Sequence, residues 1–422
     1  MSIQIARNDL SKSELRTIQK DLTLNVVTRC RGRKTITKTD LILDFDKEFV
    51  RIPFAYGRKY VVEPDQLDIK AEAKGFVGDL REQQINIVTK TLYMLAESGS
   101  AIISACTGAG KTVTAIYVAT VLQRKTLILT NKIMLIEQWV ESIKKFCPDL
   151  ACQVLRPKNT IKDPNATFFV ANPINVPKFP KEFYNDVDVV IMDELHQLIS
   201  PKGLRHLFYL QPSFLIGLSA TPIRYDSYDE CIGMFFGTRH VGLKLLKYHT
   251  VYTIRTDYRP PVVVSSTLGL DWNAVLDGQA NDKNRNELIC DIIEKLSGRN
   301  WLVLVKRVKQ AELLEEILNA KGISCELLIR SKQEYDRDAK VLIGTVSKVG
   351  VGFDNPKIDS LIVAADIKAY FVQSLGRCMR KPEVKPIVVD LIDDFNPLVK
   401  NYKEREKVYK AHGGTIKELK IP

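Results

Sequence analysis

The chain has no apolar run near the roughly 18 residues that a bilayer-spanning helix needs. Its first segment, MSIQIARNDLSKSEL, is polar and charged throughout and lacks the apolar stretch of a secretion signal. The eight cysteines, Cys30, Cys106, Cys147, Cys152, Cys231, Cys290, Cys325 and Cys378, form no CxxC pair, and none groups with the five histidines at zinc-ligand spacing. Structural zinc is therefore not expected, and scattered thiols fit small core residues in a reducing compartment. Short-period repeats and low-complexity tracts are also missing. The expectation is a soluble intracellular protein with no membrane attachment.

Apolar residues make up 45% of the chain and charged residues 27%, which excludes a mostly disordered chain or a collagen-like fibre. At about 150 residues per domain, a chain of this length holds two to three domains. With 62 Lys and Arg against 50 Asp and Glu, the formal net charge is +12. A polyanionic partner fits that balance, although net charge does not separate nucleic acid from an acidic membrane.

Residues 1–75 read as a small α+β domain poor in glycine. Ser11, with Glu14 three residues on, has the spacing of a capping box and predicts an opening helix. Strand-like pieces follow: LTLNVVT, TITKTDLILDF and FVRIPFAYGRKYVV. From residue 76 the texture changes. The short apolar runs AIISA, TLILT, TFFVA, VDVVIMD and FLIGLSA alternate with helical patterns, the signature of a parallel sheet covered by helices. The pattern breaks at TDYRPPVVVSSTLGLDW and resumes with WLVLV, SCELLI, KVLIGTV, SLIVAA and PIVVDLI. Two α/β units, 76–260 and 261–422, are expected, with a charged closing helix stopped by Gly413 and Gly414.

AIISACTGAGKT, residues 101–112, fits the phosphate-loop pattern with Ala105 in place of its first glycine. An apolar strand precedes it and the helical pattern VTAIYVATVL follows. Gly108 and Gly110, with Thr107 and Ala109 between and beside them, let backbone N–H groups turn toward phosphates, and the helix N-terminus adds partial positive charge. Lys111 supplies a point charge for the β- and γ-phosphates, and the Thr112 hydroxyl can ligate Mg²⁺. ATP with Mg²⁺ is the expected cofactor pair.

VDVVIMDELH ends a buried strand in two carboxylates. A lone Asp-Glu after a strand is usually a solvated loop. Here Asp193 lies 82 residues after Lys111 in the same α/β unit, where a Mg²⁺ ligand is required. Glu194 beside it can orient and deprotonate the attacking water, which favours hydrolysis over phosphate transfer. His196 reads either as a coupling residue or as a satisfied structural histidine.

In the N-terminal domain, Arg29, Arg31, Arg33, Lys34 and Lys38 lie between Asp21 and Asp40 with no acidic residue among them, and Gly32 suggests a turn. A basic hairpin resting on duplex phosphates and a solubilising loop both fit. Tyr56, Arg58, Lys59 and Tyr60 mix aromatics with cations but fit a strand edge equally. Residues 225–240 are too irregular to assign a strand-separating element. Asp390, Asp393 and Asp394 read as helix or loop caps rather than metal ligands.

Taken in order, the motifs across residues 76–412 resemble a superfamily 2 helicase or translocase of the DExH type. LREQQ at 80–84 is similar to the adenine-reading motif, with Gln84 at the glutamine position. TLILTNKIMLIEQWVESIKKF and TFFVANP resemble motifs Ia and Ib, DELH the name-giving motif, and Ser219-Ala220-Thr221 motif III. WLVLVKRVKQAELL, VLIGTVSKVGVGFDNP and QSLGRCMR resemble motifs IV, V and VI. Within the superfamily the set looks most like the phage branch-migration helicases, the poxvirus transcript-release helicase and their XPB-like relatives. NRN at 284–286 and VVDLIDDF are similar to that group too.

The resemblance implies two tandem RecA-like domains after the N-terminal domain, ATP hydrolysis, and a monomeric motor tracking a phosphate backbone. By position, Gly352 and Asp354 join the nucleotide set. Ser219, Thr221 and His196 couple the site to motion, and Gln373, Arg377 and Arg380 act on the attacking water and the γ-phosphate as an arginine finger does. Arg377 and Arg380, three apart, are expected on one helical face. Asn131, Lys132, Asn172, Thr345 and Lys348 fall at the strand-gripping positions. Here the family's Pro-Thr of motif Ia reads Thr130-Asn131 and its Thr of motif Ib reads Asn172, so asparagine amides take over donation to phosphate. The implied activity is 3′ to 5′ remodelling of forked, branched or junction DNA. An RNA helicase, or a nucleic-acid-binding module switched by ATP, uses much the same motor motifs.

Overall fold

The apolar runs become the two parallel sheets of the protein. In the computed structural model, the runs Ser100–Ala105, Thr126–Leu129, Phe168–Ala171, Val189–Asp193 and Phe214–Ser219 pair in parallel with Cys152–Leu155 and Val241–Leu243 into a seven-stranded sheet. Its spatial order is Val241–Leu243, Ser100–Ala105, Phe214–Ser219, Val189–Asp193, Thr126–Leu129, Phe168–Ala171, Cys152–Leu155. The structure describes all residues except 29–35, 61–66, 106–108, 158–160, 200–202, 204–205, 221–227, 244–246, 262–263, 266–268, 330–334, 350–354, 368–370, 380, 382 and 420–422.

Successive side chains on these strands serve opposite faces, as pleating requires. Ile102, Leu127, Val190 and Met192 enter one core; Ile103, Ile128, Val189 and Ile191 enter the other. Burial on both faces explains why the strands read as continuous apolar runs instead of alternating ones.

The chain divides into two compact units, the first reaching Leu243 and the second taking the remainder. In the first unit the N-terminal segment has no core of its own. Ser2–Ala6, Phe49–Pro53 and Asp44–Phe45 form a three-stranded antiparallel sheet. Met1, Ile18, Leu22, Ile52 and Phe54 pack into the same cluster as Leu207, Phe208, Phe235 and Phe236, so the segment covers one face of the large sheet. The capping box forms as expected: the Ser11 N–H donates to Glu14 Oε2 at 2.8 Å, and the Glu14 N–H to Ser11 Oγ at 3.2 Å. Thr23–Thr28 and Ile36–Leu41, which flank the basic stretch, pair antiparallel.

One strand expectation fails here. FAYGRKY continues as a short helix, Phe54–Gly57, and a 3-10 turn, Arg58–Tyr60. Pro53 has no N–H for a further ladder bond and instead occupies the helix N-cap. The irregular 225–240 stretch contains the helix Asp229–Phe236, packed against the sheet through Cys231, Phe235 and Phe236.

The second unit repeats the design: seven parallel strands in the order Cys325–Leu328, Val341–Thr345, Trp301–Val305, Ser360–Val363, Ile387–Asp393, His249–Thr256, Gly414–Leu419. His249–Thr256 precedes the boundary expected at 260, yet it lies in the second sheet, paired with Ile387–Asp393. The closing helix, Asn396–Ala411, gives way at Gly413 (φ +86°) to an edge strand that the helical reading of the tail does not foresee.

Asp390 and Asp393 are not caps but buried anchors. Arg405 forms a bidentate pair with Asp390 at 2.7 and 2.8 Å, and the Tyr409 hydroxyl donates to the same carboxylate at 2.7 Å. Asp393 accepts from Arg285 Nε at 3.0 Å and Thr256 Oγ1 at 2.7 Å. Arg285 belongs to NRN and Asp393 to VVDLIDDF, so these two segments are joined in space. Asp394, by contrast, pairs with Arg259 at an exposed site. Asp390 is fully buried, and removing its cation leaves an uncompensated charge. Arg405→Ala should therefore cost about 3 kcal/mol in urea denaturation of the full chain; a midpoint equal to the wild type would contradict the anchoring role.

Cys147, Cys231, Cys290 and Cys378 are buried thiols outside any disulfide, as small core residues should be. Burial pushes the Cys290 thiol up to about 12. No helix among the described residues is long and apolar enough to cross a membrane.

Candidate active site

In parallel strands all C-terminal ends share one edge, where open α/β sheets bind ligands. Asp193 is in register with Leu218, and Leu218 with Ile103, so the phosphate loop, the acidic strand end and Ser219 emerge together.

Gly110 caps the helix Lys111–Leu122 with φ +82°, a conformation glycine adopts without strain. A Cβ there would stand 2.3 Å from Gln84 Nε2. Gln84 is buried and held at both ends: its Oε1 accepts from the Arg81 N–H at 2.9 Å, and its Nε2 donates to the Gly110 carbonyl at 3.3 Å. The side chain thus reaches the phosphate loop itself. Lys111 Nζ donates to the Ala105 carbonyl at 2.6 Å, where the strand ends. Ala109 and Thr112 flank it, partly exposed. Thr107 and Gly108 lie outside the described residues.

Asp193 is 8% exposed, and burial raises its carboxyl above the usual range; a Trp139 hydrogen bond and the Lys111 charge oppose the shift. Trp139 Nε1 donates to Asp193 Oδ2 at 2.9 Å. A carboxylate that burial makes costly to charge suits a divalent cation, so Asp193 and the Thr112 hydroxyl fit Mg²⁺. Among the described residues no group of three or more His, Cys, Asp or Glu could hold a metal ion.

Glu194 takes φ +52° and ψ +50°, left-handed for a residue with a side chain. Such backbone costs about 1 kcal/mol or more and persists where the surroundings enforce it. It turns the chain from the strand into the short helix Leu195–Leu198. His196 is buried; its Nδ1 lies 3.0 Å from Ser219 Oγ and 3.4 Å from Glu194 Oε2. Thr221 lies outside the described residues.

Two of the strand-gripping candidates meet. Asn172 Nδ2 donates to the Asn131 carbonyl at 3.1 Å, and Asn131 Nδ2 donates to Gln197 Oε1 at 3.0 Å. Lys132 forms the N-cap of the helix Ile133–Phe146. Arg29, Arg31, Arg33 and Lys34 lie outside the described residues.

In the second unit, Thr345 ends its strand and Lys348 is half-buried on the short helix Val346–Val349 that follows. Gln373 and Arg377 are buried on the helix Phe371–Arg377. That helix stops at Arg377, with Cys378 in a turn. Gly352, Asp354 and Arg380 lie outside the described residues.

Sequence reasoning missed Trp139 and Gln197. A tryptophan inside an amphipathic helix was a usable signal, because a buried indole N–H needs an acceptor. A glutamine one place after DELH carried none.

Two tandem RecA-like domains with a phosphate loop, an acidic strand end and a histidine tied to the next strand define a superfamily 2 motor. The family model described as "Type III restriction enzyme, res subunit" matches residues 78–224, inside the first unit. A protein of Invertebrate iridescent virus 6 named as a helicase is 35% identical over 447 aligned positions, covering all of both chains. One from Acanthamoeba polyphaga mimivirus, named as an ATP-dependent RNA helicase, is 24% identical and spans 88% of this chain and 76% of its own. Yeast Dbp5 bound to RNA and ADP BeF3 shares the fold at TM-score 0.56 and 15% identity, over 81% of this chain and 94% of that one. The chain belongs to the superfamily 2 helicases of large DNA viruses.

Proposed function

We propose that the chain is an ATP-dependent DNA helicase or translocase, moving 3′ to 5′ and remodelling forked, branched or junction DNA in recombination or repair. The observation that supports it most is the group Lys111, Asp193, Glu194, His196 and Ser219, gathered on one sheet edge. Lys111 and the helix N-terminus hold the phosphates. Thr112 and Asp193 hold Mg²⁺, which supplies charge neutralisation at the β- and γ-phosphates. Glu194 takes the proton of the attacking water, and His196 relays its position to Ser219. Gln373, Arg377 and Arg380 serve the attacking water and the γ-phosphate during turnover. Asn131, Lys132, Asn172, Thr345 and Lys348 grip phosphates, and Arg29, Arg31, Arg33 and Lys34 add a basic loop. The charge of +12 suits such a polyanionic track.

RNA is the second reading, supported by the name of the mimivirus relative. The deciding measurement is steady-state ATP hydrolysis with single-stranded, forked and four-way-junction DNA and with RNA, using Lys111→Ala as the blank. Stimulation mainly by forked or junction DNA sustains the first reading. Stimulation mainly by RNA replaces it with the second. Arg377→Ala should slow turnover about a hundredfold at unchanged nucleotide affinity; a lost affinity with normal saturated turnover would contradict its role.

A further inference from the structure

Gln197 stands between the strand-facing edge and the water-activating carboxylate. Its Oε1 accepts from Asn131 Nδ2 at 3.0 Å, and its Nε2 lies 3.4 Å from His196 Nε2. Beyond His196 are Ser219 Oγ and Glu194 Oε2. On the other side, the Asn131 carbonyl accepts from Asn172 Nδ2, while Asn172 Oδ1 accepts from the Ile174 N–H at 3.1 Å.

With the side-chain amides oriented as they are in the structure, this chain of bonds has one direction. The Ile174 N–H can only donate, so the Asn172 amide is oriented with its nitrogen toward Asn131. An oxygen of Gln197 toward Asn131 puts its nitrogen, a donor, toward His196. His196 Nε2 must then accept, which places the imidazole proton on Nδ1, facing Ser219 and Glu194. Every donor points from the Asn172 edge toward the catalytic carboxylate. The Asn131 end is also incompletely satisfied: Asn131 Oδ1 is buried with no hydrogen-bond partner among the described residues. A phosphate oxygen arriving at this edge is an acceptor and competes for the Asn131 and Asn172 amide N–H groups, so the network rearranges around it.

We infer that Gln197 is a positioning residue that transmits occupancy of the Asn131–Asn172 edge to Glu194 through the tautomer and placement of His196. The inference rests on the motor reading above. The helix Ile133–Phe146 gives the same region a rigid footing, since its Trp139 holds Asp193.

The experiment uses the full chain with Gln197→Ala and Gln197→Glu. The second variant is nearly isosteric and keeps the acceptor toward Asn131, but an ionised carboxylate has no proton to give His196 Nε2 and draws the imidazole proton away from Nδ1. ATP turnover is measured with and without saturating single-stranded oligodeoxythymidine or oligouridine, alongside oligonucleotide affinity by fluorescence anisotropy and the melting temperature. In both variants the ratio of stimulated to unstimulated turnover should fall about tenfold, with oligonucleotide affinity within about twofold of the wild type. Wild-type ratios in both variants would overturn the relay and leave the motor reading intact. An equal fall of stimulated and unstimulated rates would also overturn it, because a merely structural residue behaves so. A wild type that no nucleic acid stimulates, forked and junction DNA included, would remove the motor reading and the relay with it.

Discussion

Lys111→Ala should lower ATP turnover by about a thousandfold or more while the protein folds and melts as before. The argument has two parts. Lys111 opens the helix Lys111–Leu122 and is partly exposed, with its ammonium bonded to the Ala105 carbonyl. Alanine is the best helix former, so truncation leaves the helix in place. The loss falls on chemistry instead. Transition-state charge on the γ-phosphoryl oxygens needs preorganised cations, and Lys111 is the one fixed at the loop. Steady-state hydrolysis with a thermal melt checks both parts. Normal turnover would remove the nucleotide site from this edge of the sheet.

Glu194→Gln should retain ATP binding and lose about a thousandfold in turnover. Glutamine has nearly the same size and faces the same left-handed backbone at φ +52°, so its folding cost is close to that of glutamate. It cannot accept the proton of the attacking water. Equilibrium binding of a fluorescent ATP analogue, set against single-turnover hydrolysis, separates the two effects. Wild-type hydrolysis would place the general base elsewhere, whereas weakened binding with normal chemistry would make Glu194 a ligand-holding residue. The pairing with His196 gives a second check: His196→Ala should lower turnover less than Glu194→Gln, because it displaces the base without removing it.

Elements buried on both faces were legible in the sequence. AIISA, VDVVIMD, FLIGLSA, WLVLV and PIVVDLI all become central strands, since burial demands apolar side chains at every position. The strands that went unread are short, lie at or near a sheet edge, or mix polar residues. Val241–Leu243, Cys152–Leu155 and Gly414–Leu419 are edge strands, and His249–Thr256 carries His, Thr, Tyr and Arg among its apolar residues. Pairing with a neighbour, not local pattern, makes them strands. FAYGRKY shows the converse: its aromatics suggested a strand, but Pro53 cut the ladder and packing turned the chain into a helix.

The candidate site divides in the same way. The loop AIISACTGAGKT and the pair Asp193–Glu194 were expected from residue types at short spacing, because phosphate cradling and water activation demand them, and the trio starting at Ser219 was expected from the family resemblance. Contacts made across long separations could not. Trp139 on Asp193, Gln84 on Gly110, Arg285 on Asp393 and the run Asn172–Asn131–Gln197–His196 all join residues whose types alone permit many partners. Sequence by itself therefore determined the chemistry available and the two parallel sheets that carry it. Tertiary structure decided which polar groups meet, because a buried donor or acceptor must find a partner and only the packed strands and helices place one within reach.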